Sequence, residues 1–455
     1  MSSDRFDVIV VGSGIAGASA AAAASRAGAR VVLLEKSASF GGSAALSAGM
    51  LWTAPDLDAF QRRIPLGNAV IGRRLVEDFP GAIDELRATG VRVADEPTRE
   101  IMTYGIGYST DIHGILAWCR DQVIAAGGSV QASAPVRRLL VDDDGSVVGV
   151  VVATQHGPRE LRAPSVILAT GGFARDPELL ARYIGTNSDR LLKRSNPGSV
   201  GDGLRMARAV GAGGSPAMAS FYGHLVPWPL HAFEPENYLP YSQYYSGSTI
   251  VVNLRGERFT DETLGDEILN QLVVAQPEAR GVLIFDEHIH VTEARQEPFP
   301  GLGATDRFEA AQEAGGRWAS AGTMDELIAL VGTWGVDSEA LTATLDGYAR
   351  ATAAGGGVVR GVPVSAHARA PQSGPFHALM VQPSITFTFG GVPISVEAEA
   401  LDPDGAPIAG LYVAGADIGG LSNIGYAGGL APGYVTGGWA GRAAALRALN
   451  GKEQA

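Results

Sequence analysis

The stretch Phe6-Asp-Val-Ile-Val-Val-Gly12-Ser-Gly14-Ile-Ala-Gly17 leads through an alanine-rich run into Arg30-Val-Val-Leu-Leu-Glu35. Phe6 to Val11 is a short apolar run closed by Gly12, the pattern of a buried parallel strand. Ile15 to Ala27 has helical composition and stops at Gly28. Arg30 to Leu34 reads as a second strand ending on Glu35, so the whole is a βαβ unit. Gly12, Gly14 and Gly17 form G-x-G-x-x-G at its first turn. The first glycine permits the tight turn, the second lets a pyrophosphate approach the backbone, and the third lets helix and strand pack closely. The first helical N–H groups, around Ile15 and Ala16, then face the phosphates with the positive end of the helix dipole. Glu35 stands where an acid would bind a ribose hydroxyl pair.

The residues beyond this unit point to FAD rather than NAD. Gly41-Gly42-Ser43 and Ser47-Ala48-Gly49 place small residues close behind Glu35, which suits the passage of an extended cofactor. Ala169-Thr170-Gly171-Gly172 and the run from Gly410 to Gly415 read as later strands ending against the same ligand. Lys36, Val136, Asp202, Asp417 and Leu430 complete the candidate cofactor set. No second G-x-G-x-x-G with strand context appears, so electrons are expected to move by a route other than a dedicated NAD(P)H domain.

The chain has 455 residues, too many for one simple core, and is 46% hydrophobic. A net charge of −13 argues against nucleic acid or an anionic membrane as partner. The single cysteine, Cys119, excludes an internal disulfide, a CxxC redox pair and a thiolate metal cluster. No metal-ligand set is expected. The charged N-terminus enters a strand almost at once, so the protein is read as cytoplasmic, with no membrane span.

The fold class expected is α/β: a doubly wound, Rossmann-like FAD-binding domain of glutathione-reductase type with an inserted α+β capping domain. Val136 to Val152 reads as a meander turning at Asp144-Gly145. Composition changes after residue 225, where Phe221 to Tyr245 is crowded with aromatics and prolines. The FAD domain is therefore placed at 1–225 and 372–455, and the cap at 226–371. Gly355 to Gly361 reads as a mobile loop, and a C-terminal helix is expected from Tyr434 to Leu449.

Further elements carry a resemblance. Gly201-Asp202-Gly203, Val252-Asn253-Leu-Arg-Gly256-Glu-Arg258-Phe259-Thr-Asp-Glu262, Thr388-Phe-Gly390-Gly391 and the segment from Ala414 to Gly429 are similar to the fumarate reductase and succinate dehydrogenase flavoprotein family. The resemblance implies substrate held between the two domains over a flavin. It departs at the dicarboxylate grip. The catalytic arginine that family members carry four residues after the Glu of the second element is Asp266 here. The histidine before the Thr-x-Gly-Gly turn is Phe387, and a late clamping arginine falls on Tyr426. His224 is retained. Tyr426-Ala427-Gly428-Gly429 resembles the substrate-ketone segment of 3-ketosteroid dehydrogenases, and Ser384 to Gly391 resembles tricarballylate dehydrogenase-like flavoproteins. The family's covalent-flavin histidine has no counterpart near Gly42 to Gly49, so FAD is expected to be non-covalent.

The resulting expectation is dehydrogenation of a C–C bond beside a carbonyl, with a small carbonyl compound as substrate and an electron acceptor or donor left open. Tyr426 would hold the carbonyl with His224 assisting, and Asp266 would take the α-proton. Tyr104, Tyr108, Tyr241, Tyr245, Phe387 and Phe389 would wall an apolar pocket. Other readings stay open. Asp266 also suits a helix N-terminal carboxylate, Tyr426 a packed core tyrosine and His224 a structural histidine. The reverse reaction on an unsaturated ketone or acid, and a non-redox hydration or isomerisation, are the rival chemistries.

Overall fold

The computed structural model describes residues 6–298 and 303–453. Val8–Val11 (β1), Ile15–Arg26 (α1) and Val31–Leu34 (β2) form the βαβ unit, and all eight strand residues are buried. β1 is central. It pairs in parallel with β2 on one side and with Ser165–Leu168 on the other. The sheet continues to Ser129–Gln131 beyond β2. On the opposite side it continues to Pro407–Val413 and then to the antiparallel edge Glu399–Leu401. Continuous valine, isoleucine and leucine runs suit strands covered on both faces.

The helix Leu430–Glu453 packs against α1. It begins four residues before the expected Tyr434, so Leu430 sits in its first turn. Glycine makes the close approach possible: a Cβ on Gly437 would lie 2.3 Å from the Ala16 carbonyl oxygen. Two small antiparallel sheets complete this part. Val136–Val141, Val147–Thr154 and Gly157–Arg162 form one, with Gly145 at φ +86° in its first turn. Met50–Thr53, Gly105–Ser109 and Thr98–Ile101 form the other.

The chain divides into two compact units. The first comprises residues 1–183, 195–221 and 387–455, and the second 184–194 and 222–386. Position 371, where the sequence suggests the cap ends, lies before the ten-residue strand Phe376–Ile385. That strand is the spine of the second unit's sheet, paired with Leu225–Pro227, Gly281–Asp286, Trp318–Ala321 and, in parallel, Leu192–Lys193. The short piece 184–194 therefore joins the second unit by strand pairing, which composition cannot reveal. Helices Met324–Gly332 and Ser338–Ala353 pack on one apolar cluster of this unit. The unit is thus α+β.

Gly355 to Gly361 is not a featureless loop. Gly357–Val359 and Val362–Val364 pair as a hairpin, with Arg360 and Gly361 both at positive φ in the turn. Among the described residues, no helix is long and apolar enough to cross a membrane.

Candidate functional site: a dinucleotide cradle and a buried proton line

In the first unit the three fingerprint glycines do different things. A Cβ on Gly12 would lie 2.2 Å from the Ala169 carbonyl oxygen, and one on Gly17 would lie 1.9 Å from that of Gly12. Both are demanded by packing. Gly14 caps α1, and a Cβ there would meet only the Gly41 carbonyl oxygen, at 4.0 Å. The open space lies where a phosphate would approach. No side chain caps α1 and its first turn carries no acid, so the N–H groups of that turn remain for an anion. This arrangement fits a dinucleotide.

Glu35 is buried, and its carboxylate is aimed by the protein. One oxygen accepts from the Ser13 N–H (3.0 Å) and hydroxyl (2.6 Å), the other from the Ser37 N–H (2.8 Å). Ser13, the variable position inside the fingerprint, orients the Glu35 carboxylate, a contact the sequence reading missed. Lys36 pairs with Asp202 at 2.5 Å. Ser43 accepts from the Asn196 N–H at 3.1 Å, Gly42 adopts φ +51° beside Gly14, and Gly49 adopts φ +79° against Thr110. Two residues before Val136, the Ala134 N–H donates to the Glu35 carbonyl at 2.8 Å, just ahead of the strand Val136–Val141. Ile15 and Ala16 stand in the first turn of α1.

Two expected contacts are turned inward instead. The Ser47 hydroxyl donates to the Ala44 carbonyl at 2.7 Å. The Asp417 carboxylate holds the Ala169–Gly172 turn: it accepts from Thr170 N–H (2.5 Å), the Thr170 hydroxyl (3.0 Å) and Gly172 N–H (2.9 Å). Burial pushes the Asp417 carboxyl above its usual range. The Asp417 side chain thus holds a turn. Gly415 N–H, at φ +67°, donates to the Thr436 hydroxyl at 3.1 Å. Leu430 opens the C-terminal helix, whose first turn also lacks acids.

Tyr426 belongs to the first unit and is 6% exposed. Its ring meets Trp52 edge-on at 5.1 Å, Phe387 at 5.8 Å and, nearly parallel, Phe389 at 6.1 Å. The Tyr104 hydroxyl donates to its backbone carbonyl. A Cβ on Gly429 would lie 3.1 Å from the Tyr426 hydroxyl, so the glycine leaves room beside that oxygen. Tyr108 does not join this group. Its ring faces Phe79 at 6.4 Å and the Arg87 guanidinium at 4.9 Å, whereas Tyr104 stands in the turn before the strand Gly105–Ser109, edge-on to Trp52 at 5.9 Å.

In the second unit, Gly265 (φ +105°) starts the helix Asp266–Val273 and puts Asp266 at its first position. The preceding element is locked by the bidentate pair Arg258–Glu262, at 2.6 and 2.8 Å. Asp266 is more than a cap. One oxygen accepts from the Ser246 hydroxyl at 2.9 Å and the Leu225 N–H at 3.3 Å, and the other bonds His224 Nδ1. His224 Nε2 lies 2.7 Å from the Tyr222 hydroxyl. His224 and Asp266 are buried, whereas Tyr222 is half-buried. The result is a line Tyr222–His224–Asp266 with its outer end at the phenol. Burial pushes the Asp266 carboxyl up to about 7. It pushes His224 well below its ordinary value, with the Arg194 and Arg307 charges acting the same way. Each shift favours the uncharged form.

Asp266 therefore does not stand at the front of this arrangement, as its assignment as direct proton acceptor requires; His224 lies between it and Tyr222. Tyr245 is a core residue rather than a wall, edge-on to Phe285 at 5.3 Å. Tyr241 is half-buried and meets Phe233 at 6.4 Å. The aromatic beside His224 is Tyr244, at 4.6 Å. Tyr222, Tyr244 and Ser246 were missed. Alternation through the strand end marks Tyr222 and His224 as same-face neighbours, the one signal that pointed to the former.

Glu287, His290 and His377 bring three metal-type donor atoms within 4.8 Å of one another. Their ring nitrogens are already engaged: both histidines bond Glu287, and the outer nitrogens reach Asp306 at 3.0 Å and Ser320 at 2.7 Å. The cluster closes on itself.

A family profile described as FAD binding domain matches residues 7–65 and 70–430. The chain is 29% identical to the fumarate reductase (cytochrome) of Shewanella frigidimarina, over 94% of this chain and 74% of that one. It is 26% identical to the 4-oxocyclohexanecarboxylate 2-dehydrogenase of Sinomonas cyclohexanicum, over 98% and 96%. The solved structure of 3-ketosteroid-Δ4-(5α)-dehydrogenase from Rhodococcus jostii RHA1 has the same fold. Its TM-score is 0.76 at 23% identity, over 97% of each chain.

Proposed function

The chain belongs to the FAD-binding domain family, and from that membership we propose that it desaturates a carbonyl compound at the α,β carbon–carbon bond. It is an FAD-dependent oxidoreductase acting on carbon–carbon bonds. Bound FAD supplies the two-electron chemistry, exchanging a hydride with the β-carbon. Gly14, the first turn of α1, Glu35, Lys36, Ser43 and Asp202 would hold it, without a covalent link.

The chain's own groups manage the α-proton and the carbonyl. The observation that carries the reading is the Tyr222–His224–Asp266 line. A plain carboxylate is too weak a base for an ordinary α-C–H, but a buried one pushed to about 7 is a better acceptor. In the proposed step the substrate α-carbon gives its proton to the Tyr222 oxygen. The phenol proton passes to His224 Nε2, and the Nδ1 proton passes to Asp266. Tyr426 donates a hydrogen bond to the carbonyl oxygen, stabilising the negative charge that develops there. Trp52, Phe387 and Phe389 hold that phenol's ring in place. The ketone side of the reading is also supported by the relative named for a 4-oxocyclohexanecarboxylate substrate. The reductases among the relatives favour the reverse direction as the second reading.

The test is anaerobic flavin bleaching by a panel of cyclic ketones with no added donor. Bleaching with release of the α,β-unsaturated ketone supports desaturation. Turnover seen only with an added reductant and an unsaturated acceptor would replace it with the reverse reaction.

A further inference from the structure

Arg194 is 5% exposed, yet among the described residues it has no carboxylate partner. Its Nη1 donates to the Ser242 hydroxyl at 3.1 Å, while its Nε is buried with no hydrogen-bond partner. The rings of Phe233 and Tyr238 cover the cation at 5.2 and 4.9 Å and shield it from water. A buried guanidinium left without an anion is unfavourable, and a bound carboxylate, which the planar fork of donors matches, would relieve that cost. Arg307, the other nearby buried cation, also has a buried Nε without a partner, but its Nη1 is held by two backbone carbonyls, of Gln296 and Thr305, and the carboxyl of the adjacent Asp306 acts on its charge.

The backbone ties Arg194 to the proton line within the same unit. Arg194 N–H donates to the Ile385 carbonyl at 2.9 Å, and the adjacent Ser384 hydroxyl donates to the His224 carbonyl at 2.7 Å. Ser242, its side-chain partner, lies two residues before the short helix Tyr244–Ser248. That helix supplies Tyr244 to His224 and Ser246 to Asp266. The Arg194 charge is felt at Asp266, His224 and Tyr244.

We propose that Arg194 anchors an anionic group of the substrate, so that the substrate class is a ketone carrying one carboxylate. This rests on the desaturation reading for the ketone but not for the carboxylate. With Nη1 engaged by Ser242, the guanidinium edge that remains carries Nε and Nη2. A planar two-point donor edge matches a carboxylate. One such cation suits a monocarboxylate.

The experiment uses the FAD-loaded enzyme, with 4-oxocyclohexanecarboxylate and its methyl ester compared by anaerobic flavin bleaching. The acid should half-saturate the wild type at a concentration at least about tenfold lower than the ester, the worth of one charge-assisted contact. Arg194→Met should erase that preference by raising the half-saturation for the acid while leaving that for the ester unchanged. Arg194→Lys should recover part of it. Equal half-saturation of acid and ester by the wild type would overturn the anchor. So would an Arg194→Met variant that weakens both ligands alike, which is the mark of a structural cation. If neither compound bleaches the flavin, the ketone reading fails, and calorimetric titration with cyclohexanecarboxylate judges the anchor separately. Binding by wild type and not by Arg194→Met sustains it; no binding by either overturns it.

Discussion

The Tyr222 hydroxyl lies 2.7 Å from Nε2 of His224, and the opposite nitrogen of that ring is bonded to Asp266. A proton can therefore enter at a half-buried phenol and leave its charge on a fully buried carboxyl. Tyr222→Phe keeps the ring and its packing but removes the entry point. The limiting rate of flavin reduction by substrate should fall by about 10²–10⁴-fold with little change in half-saturation, the usual range for losing general acid–base assistance. A rate within about threefold of wild type, well short of that range, would remove Tyr222 from the mechanism.

Asp266 gives a pH signature with a defined sign. Its carboxyl rises from 3.8 to about 7 in the folded chain, so between those values the folded state binds a proton that the unfolded state has released. Stability from this group is fully present below the unfolded value and is lost as pH rises through about 7. At about 1.4 kcal/mol per unit, the span is on the order of 4 kcal/mol. Asp266→Asn should flatten that fall, read as the difference in Tm between wild type and variant from about pH 4.5 to about pH 8. The wild-type rate of substrate oxidation should rise through about pH 7, as the accepting carboxylate forms, and the variant should lack that limb. A parallel pH profile in the two proteins would contradict the assignment.

The cofactor cradle separates two glycines that look equivalent in the fingerprint. Gly14 has φ −63° and ψ 179°, which alanine adopts freely, and open space beyond its Cα. Gly14→Ala should leave the apoprotein's Tm nearly unchanged and weaken FAD by about tenfold or more, roughly 1.4 kcal/mol, because the methyl occupies the phosphate's approach. Gly12→Ala meets both φ +100° and a 2.2 Å overlap with the Ala169 carbonyl oxygen. It should destabilise the first unit itself. Fluorescence titration with FAD and apoprotein unfolding read the two effects. Acid precipitation of the loaded wild type should release all of the flavin into the supernatant.

These contrasts explain which parts of the molecule were legible in the sequence. β1, α1 and β2 can be read from apolar runs punctuated by glycines whose packing admits no side chain, so spacing alone is informative. Asp266 and Tyr426 stood out because a resemblance has arginine at those positions. The proton line was harder to read. Tyr222, Ser246 and Asp266 meet only because strand Leu225–Pro227 and helix Asp266–Val273 pack in the second unit. Arg194 was hidden for the same reason, since pairing of Leu192–Lys193 with Ser384–Ile385 carries it into that unit. Ser13 was overlooked because the fingerprint treats its position as free. Asp417 was assigned to the ligand because sequence distance cannot tell a turn-holding carboxylate from a ligand-holding one.

Tyr426 offers the last test. Its hydroxyl depends on a position with no side chain: at Gly429 a Cβ would sit 3.1 Å from the oxygen and 3.3 Å from the Phe387 ring. The Gly429 backbone is not in the left-handed region, so alanine is conformationally acceptable there. Gly429→Ala should therefore fold and bind FAD normally while crowding the hydroxyl. Tyr426→Phe removes the donor outright. If the hydroxyl stabilises charge on a ketone oxygen, Tyr426→Phe should lower the limiting rate about 10²–10³-fold. Gly429→Ala should lower kcat/KM by a smaller factor, mostly through KM. Combining the two should add little beyond Tyr426→Phe alone, because the alanine acts only by obstructing an oxygen that is already gone. Fully multiplicative losses in the double variant would show that Gly429 matters for some reason other than this hydroxyl, and the carbonyl-holding role of Tyr426 would have to stand on its own single variant.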